Sequence, residues 1–167
     1  MTLKIKIYTI GGTIDKVYFD NKSEFEVGEP KIGEILAEAN VGFEYSLDSL
    51  LRKDSLDMTD ADRQLIFDRI GSDPNRYILI THGTDTMIQT AAKLQNISAK
   101  TMVLTGAMQP ARFKSSDAAF NIGFAAAAIQ ILPPGAYIAM NGRIFTPDNV
   151  KKDRGNNCFK TISDNGH

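Results

Sequence analysis

The fold is read from Tyr77-Ile78-Leu79-Ile80-Thr81-His82-Gly83-Thr84-Asp85-Thr86-Met87. The first half is a short apolar run with no polar face, the pattern of a strand covered on both sides. The second half changes abruptly to hydroxyls, a glycine and a carboxylate. The strand is expected to end near His82, and Thr86 to Gln95 reads as a helix. Gly83-Thr84-Asp85 then falls where a buried strand hands over to a helix N-terminus, the usual ligand position in open parallel sheets. An active site is expected there.

The same alternation continues outward. Leu3 to Ile10 sets Leu3, Ile5 and Ile7 against Lys4, Lys6 and Tyr8 and turns apolar before Gly11-Gly12, as a strand entering a core does. Ile32, Ile35, Leu36 and Ala39 have helical spacing, and Asn40-Val41-Gly42 stops that helix. A strand from Phe43 to Leu51 follows. Thr59-Asp60-Ala61-Asp62 then opens a second helix with a hydroxyl and two acids. Thr101 to Thr105 is another buried strand. Ser116-Asp117 is expected to cap a long apolar helix from Ala118 to Leu132, which Pro133-Pro134-Gly135 ends, and Tyr137 to Met140 is the fifth strand. Asp15 to Pro30 shows no sustained period and carries Tyr18, Phe19 and Phe25. It reads as a long loop, of the kind that serves as a lid. Strands alternating with helices predict one α/β domain over residues 1–167, an open parallel sheet with helices on both faces.

The 167 residues fit one domain, and 43% hydrophobic content is enough for a sizeable core. Nineteen basic against 20 acidic residues leave a formal charge of -1, so no global field recruits nucleic acid or an anionic membrane. Small-molecule chemistry is favoured. The start Met1-Thr2-Leu3-Lys4-Ile5 leads directly into a strand pattern without a secretory signal, and no apolar run approaches about 18 residues, so a soluble, cytoplasmic protein is expected. Cys158 is the only cysteine, which excludes an intrachain disulfide and a cysteine-rich metal site.

Three strand ends carry hydroxyls and carboxylates: Thr13 after the first, Ser55 and Asp57 after the second, Thr84 and Asp85 after the third. Parallel strands bring their C-terminal ends to one edge, so these groups can converge. Each residue also has a plainer reading, since a threonine after Gly-Gly serves as a helix cap as readily as a nucleophile. Thr9-Ile10-Gly11-Gly12-Thr13 lacks both the Gly-x-Gly-x-x-Gly spacing and a Gly-Lys-Ser/Thr ending, and Asp15 adds negative charge, all of which disfavours a phosphate cradle. His82 has no second internal histidine to join it, the other being His167, and reads as a hydrogen-bonded core residue.

Ile10-Gly11-Gly12-Thr13-Ile14 and Thr81-His82-Gly83-Thr84-Asp85-Thr86-Met87 resemble the two signatures of the bacterial-type L-asparaginases. Gly106-Ala107-Met108 and Asn149-Val150-Lys151-Lys152 follow in the family's order, so the likeness runs from about Lys4 to Lys152. It covers what corresponds to the family's N-terminal, flavodoxin- or Rossmann-like domain, and a single-domain form without the smaller C-terminal domain is expected. The resemblance implies hydrolysis of the side-chain amide of L-asparagine to aspartate and ammonia, with no metal or organic cofactor. Thr13 matches the nucleophile, and Thr84, Asp85 and Lys152 the second hydroxyl, carboxylate and amine. Gly12, Ser55, Thr84 and Asp85 are the implied substrate contacts, with Asp85 on the ammonium and Ser55 on the α-carboxylate. A threonine hydroxyl must lose its proton during attack, and a Lys152 kept neutral by burial can take it through Thr84. Two departures stand out. Phe25 occupies the position of the family's catalytic tyrosine, which makes Tyr18 on the same segment the candidate to replace it, and Leu56 replaces a polar residue after the binding serine.

The expected protein is a cytoplasmic asparaginase working as a homo-oligomer, a dimer or larger, with no nucleic-acid or membrane partner. The alternatives are the ammonia-releasing component of a tRNA-dependent amidotransferase and a non-catalytic amino-acid sensor. Retention of Thr13, Thr84 and Lys152 together argues against a sensor, which has no use for a proton relay.

Overall fold

A computed structural model describes residues 2–163. Its elements are β1 (Lys4–Gly11), β2 (Lys16–Phe19), β3 (Glu24–Val27), α1 (Ile32–Glu38), β4 (Glu44–Lys53), α2 (Asp60–Ser72), β5 (Tyr77–Thr81), α3 (Met87–Leu94), β6 (Thr101–Thr105), α4 (Ala118–Ile131), β7 (Gly135–Met140), β8 (Arg143–Phe145), β9 (Lys151–Asp153) and β10 (Cys158–Lys160).

The main sheet runs β4-β1-β5-β6-β7-β8. The first five strands are mutually parallel, and β8 joins antiparallel to β7. Counting the parallel strands along the chain gives the order 2-1-3-4-5, the doubly wound flavodoxin-like arrangement. Its switch point lies between β1 and β5, where successive connections leave on opposite faces of the sheet. The edge strand β8 follows from Asn141 and Gly142, whose φ angles of 54° and 68° form a tight hairpin turn that sends the chain back along β7.

The apolar run of β5 has no polar face because both of its faces are covered. Ile78 and Ile80 pack against Ile66 and Ile70 of α2 and Met87, Ala91 and Leu94 of α3. Leu79 points the other way, into the layer formed by Ile32 and Leu36 of α1 and Ile122, Ala125 and Ile129 of α4. Truncating a fully buried side chain such as Ile80 to alanine costs about 2–5 kcal/mol, so these two layers hold the strand ends that carry the polar residues.

The helices begin largely as their sequence signals predict. Thr59 Oγ1 accepts from the Asp62 amide at 3.1 Å and Asp62 Oδ2 accepts from the Thr59 amide at 2.9 Å, a closed capping box at the start of α2. Asp62 also pairs with Lys53 at 2.8 Å, which ties the end of β4 to the start of α2 and fixes the Ser55 turn between them. Of the expected Ser116-Asp117 cap, Ser116 Oγ does accept from the Ala118 amide at 3.0 Å, but Asp117 is a correction. It precedes α4 but does not cap it; its carboxylate accepts from the amides of Met108 and Gln109 at 3.0 and 3.1 Å and so braces the loop after β6.

A second correction concerns residues 15–30. The expected loop contains a hairpin in which Lys16–Phe19 pairs antiparallel with Glu24–Val27. No alternation betrays it because neither strand lies on the core: Tyr18, Phe19 and Phe25 are all about half exposed. Its base is latched. Gly28 donates to the Asp15 carbonyl at 2.8 Å, Lys16 pairs with Asp54 at 2.5 Å, and Arg52 grips Glu29 through two bonds of 2.7 and 2.8 Å.

Candidate active site

The C-terminal ends of β1, β4 and β5 meet at the switch point. Gly12 has φ +88°, a conformation that L side chains rarely adopt, and a Cβ built on it would stand 2.3 Å from Gly83 Cα. A Cβ on Gly83 would in turn stand 2.5 Å from Ser55 Cβ. The glycines thus let three turns close on one another and leave Thr13, Thr84 and Ser55 on neighbouring backbones. The Gly12 amide is itself engaged, donating to the Lys53 carbonyl at 2.9 Å. That residue therefore contributes close backbone approach, and its N–H is committed to the protein.

Ser55 is buried. Its hydroxyl oxygen accepts from the Asp85 amide at 3.1 Å, and its carbonyl accepts from Thr86 Oγ1 at 2.7 Å. Thr84 is buried as well, and Lys152 Nζ donates to its hydroxyl oxygen at 2.8 Å. The same amine donates to Asp85 Oδ1 at 2.8 Å, with side-chain exposures of 15% for Lys152 and 26% for Asp85. Lys152 is thus mostly buried, and its amine is held by an ion pair with Asp85.

What places Lys152 is the small ribbon of β9 and β10. Phe159, the cross-strand partner of Lys152, is buried against Phe145 with ring centroids 6.5 Å apart, and its amide donates to Asn141 Oδ1 at 2.8 Å. Paired residues of an antiparallel ribbon share a face, so docking Phe159 turns Lys152 inward.

Thr13 is half-buried and lines a pocket of about 460 Å³ together with Phe25 and the loop residues Met108 and Phe113. Phe25 and Phe113 approach edge-on at 6.0 Å, so the hairpin and the loop after β6 share a wall of this pocket. Tyr18 packs its ring on Phe25 at 5.2 Å. It is Phe25, and not Tyr18, that lines the pocket beside Thr13. Asp57 borders a neighbouring, more polar pocket with Lys16 and Asp54.

His82 is the core histidine expected. It is buried, with Nδ1 2.7 Å from the Gly83 carbonyl and Nε2 2.8 Å from Thr90 Oγ1, and burial pushes its imidazole down to about 4. His167 lies outside the described residues. Two contributors escape the sequence reading. Arg154 reaches Asp85 Oδ1 at 3.2 Å, and Arg112 donates to the carbonyls of Asp15 and Glu29, pinning the hairpin base. Arg154 lies in the turn just past β9, where no strand periodicity announces it. Among the described residues no group of three or more His, Cys, Asp or Glu is placed to hold a metal ion, and no helix is long and apolar enough to cross a membrane.

The asparaginase N-terminal family model matches residues 4–165. The chain belongs to the asparaginase family. An L-asparaginase from Thermococcus kodakarensis is 35% identical over 91 residues, which is 52% of this chain and 28% of that protein. A glutamyl-tRNA(Gln) amidotransferase chain from Methanococcus vannielii is 45% identical over 69 residues, 40% of this chain and 16% of that one. The solved structure of the thermostable L-asparaginase from T. kodakarensis superposes with a TM-score of 0.82 at 28% identity, covering 96% of this chain and 51% of its own. The chain of this asparaginase-family protein therefore spans about half the length of that relative.

Proposed function

We propose that the protein is an amidohydrolase that converts L-asparagine to L-aspartate and ammonia with Thr13 as nucleophile. The observation that supports it best is the Lys152–Thr84–Asp85 cluster, joined to Thr13 through the Gly12–Gly83 contact. In this reading Thr13 Oγ attacks the side-chain amide carbon while its proton passes through Thr84 to Lys152. Ammonia leaves with that proton, and water then cleaves the threonyl ester. Asp85 takes the substrate ammonium. Ser55 and nearby backbone amides receive the α-carboxylate, and Tyr18 supplies a phenol once the hairpin closes further. No cofactor enters these steps.

The protein is proposed to act in the cytoplasm as a homo-oligomer. Phe120 and Ile131 of α4 are 64% and 77% exposed, and Phe120 stacks on Phe124 at 6.3 Å, an apolar surface of the kind used between protomers. Light scattering under assay conditions is expected to give a dimer or larger, and a monomer alone would contradict it.

The match to an amidotransferase favours a second reading, an ammonia-releasing component that serves partner chains. Ammonia release by the purified chain alone separates the two. Turnover of L-asparagine without any partner supports the first reading. Inactivity that a partner chain relieves supports the second.

A further inference from the structure

Asp85 Oδ1 receives two cations at once, Lys152 Nζ at 2.8 Å and Arg154 Nη2 at 3.2 Å. Arg154 leaves from the turn between β9 and β10, and Asp153 builds that turn. Its Oδ1 accepts from the amides of Gly155 and Asn156 at 3.1 and 3.3 Å, while Oδ2 accepts from Asn156 Nδ2 at 2.9 Å and pairs with Lys160 Nζ at 2.6 Å. The turn is braced from both sides. The Arg154 side chain, 68% exposed, extends from it over the open edge of a cluster whose lysine is 15% exposed.

Lys152 and Asp85 neutralise each other, so Arg154 leaves the cluster with one surplus positive charge. A substrate ammonium arriving at Asp85 adds another, and with Arg154 it already exceeds what one carboxylate balances, before Lys152 is counted. A ligand bringing only an ammonium is therefore disfavoured, whereas an amino acid brings its own anion. In an α-amino acid the carboxyl carbon lies about 2.5 Å from the amine nitrogen. An amino group seated on Asp85 thus puts its carboxylate within reach of a guanidinium 3.2 Å from the same oxygen. The contact to Asp85 engages Nη2, which leaves other N–H donors in the planar fork that matches a carboxylate.

Given the amidase reading above, we propose that Arg154 is a specificity-determining residue that binds the substrate's α-carboxylate. It restricts the site to free α-amino-acid amides and excludes those whose α-carboxylate is blocked, such as L-asparaginamide or asparagine within a peptide.

The test compares L-asparagine with L-asparaginamide for the parent, Arg154→Met and Arg154→Lys. Loss of a charge-assisted, forked contact is expected to raise KM for L-asparagine roughly tenfold or more in Arg154→Met, with kcat within about threefold. Arg154→Lys, which keeps the charge but not the fork, falls between. KM for L-asparaginamide, which has no carboxylate to lose, moves by less than about twofold or decreases. An equal rise for both substrates reduces Arg154 to a support for Asp85 and overturns the proposal. So does a fall in KM for L-asparagine, which makes Arg154 a competitor of the ammonium. Titration calorimetry with L-aspartate reads the contact without turnover: binding is expected to weaken about tenfold or more in Arg154→Met, and unchanged affinity overturns the proposal. If aspartate binding depends on Arg154 while the parent releases no ammonia from L-asparagine, the carboxylate site stands and only the amidase reading fails.

Discussion

Sixty-eight residues separate Lys152 from Thr84, yet Lys152 Nζ donates to the Thr84 hydroxyl at 2.8 Å. The contact depends on two independently built supports. Thr84 follows a strand sealed on both faces, and Lys152 rides on a two-stranded ribbon anchored by Phe159. A one-residue slip of that ribbon would turn Lys152 outward, so the docked phenylalanine sets the register on which the cluster depends.

Lys152→Met keeps the length of the side chain and removes the amine. If Lys152 moves the nucleophile's proton, kcat is expected to fall by at least roughly 10²-fold, the usual loss for a general acid-base group. Steady-state kinetics check this. A rise in KM with kcat unchanged would reassign Lys152 to substrate binding.

Asp15 lies at the base of the hairpin, and burial pushes its carboxyl up to about 6, against the opposing pull of the Lys31 amide and of Arg112 and Arg52. Its folded value thus exceeds the ordinary one of about 3.9. The folded state holds this proton more tightly, so the contribution is full below about pH 3.9 and is lost as pH rises through 6, by at most about 3 kcal/mol. Asp15→Asn is accordingly expected to raise Tm at pH 7.5 and to change it little at pH 4. Equal shifts at both pH values, or a lower Tm at pH 7.5, would contradict the assignment.

Tyr18 and Phe25 are cross-strand partners with rings 5.2 Å apart, but only Tyr18 carries a hydroxyl. The proposed role of Tyr18 predicts that Tyr18→Phe loses most of kcat with little change in KM. Phe25→Leu, which alters packing beside the Thr13 pocket, acts mainly on KM. Adding Phe25→Tyr to Tyr18→Phe returns a phenol to the pocket wall and is expected to restore part of the turnover. Full activity of Tyr18→Phe would remove Tyr18 from the mechanism.

The sheet was legible because its strands are long enough and buried enough to leave continuous apolar runs, as Tyr77–Thr81 and Thr101–Thr105 do. Thr13, Ser55, Thr84 and Asp85 were legible as a group because parallel strands bring their ends to one edge. Features built from exposed pairs were not. The β2–β3 hairpin has no core face, and β9–β10 is three residues on each side. The Asn141-Gly142 turn was not read, because its meaning depends on β7 having a free edge for β8 to join. The bracing role of Asp117 was hidden because an aspartate before a helix reads as a cap whether its carboxylate turns to the helix or to a neighbouring loop. Arg154 depended on Asp85, 69 positions earlier in the sequence, and no local pattern announces such a contact.

Thr13 is proposed as the nucleophile of an asparagine-hydrolysing site. Its most direct test is ammonia release from L-asparagine by the parent and by Thr13→Val, with the fold of both checked by circular dichroism. Valine keeps the size and branching of threonine and deletes only the hydroxyl. Sustained ammonia release by the parent and its collapse in a folded Thr13→Val are expected. Near-normal release by that variant, or none by the parent, would contradict the proposed role.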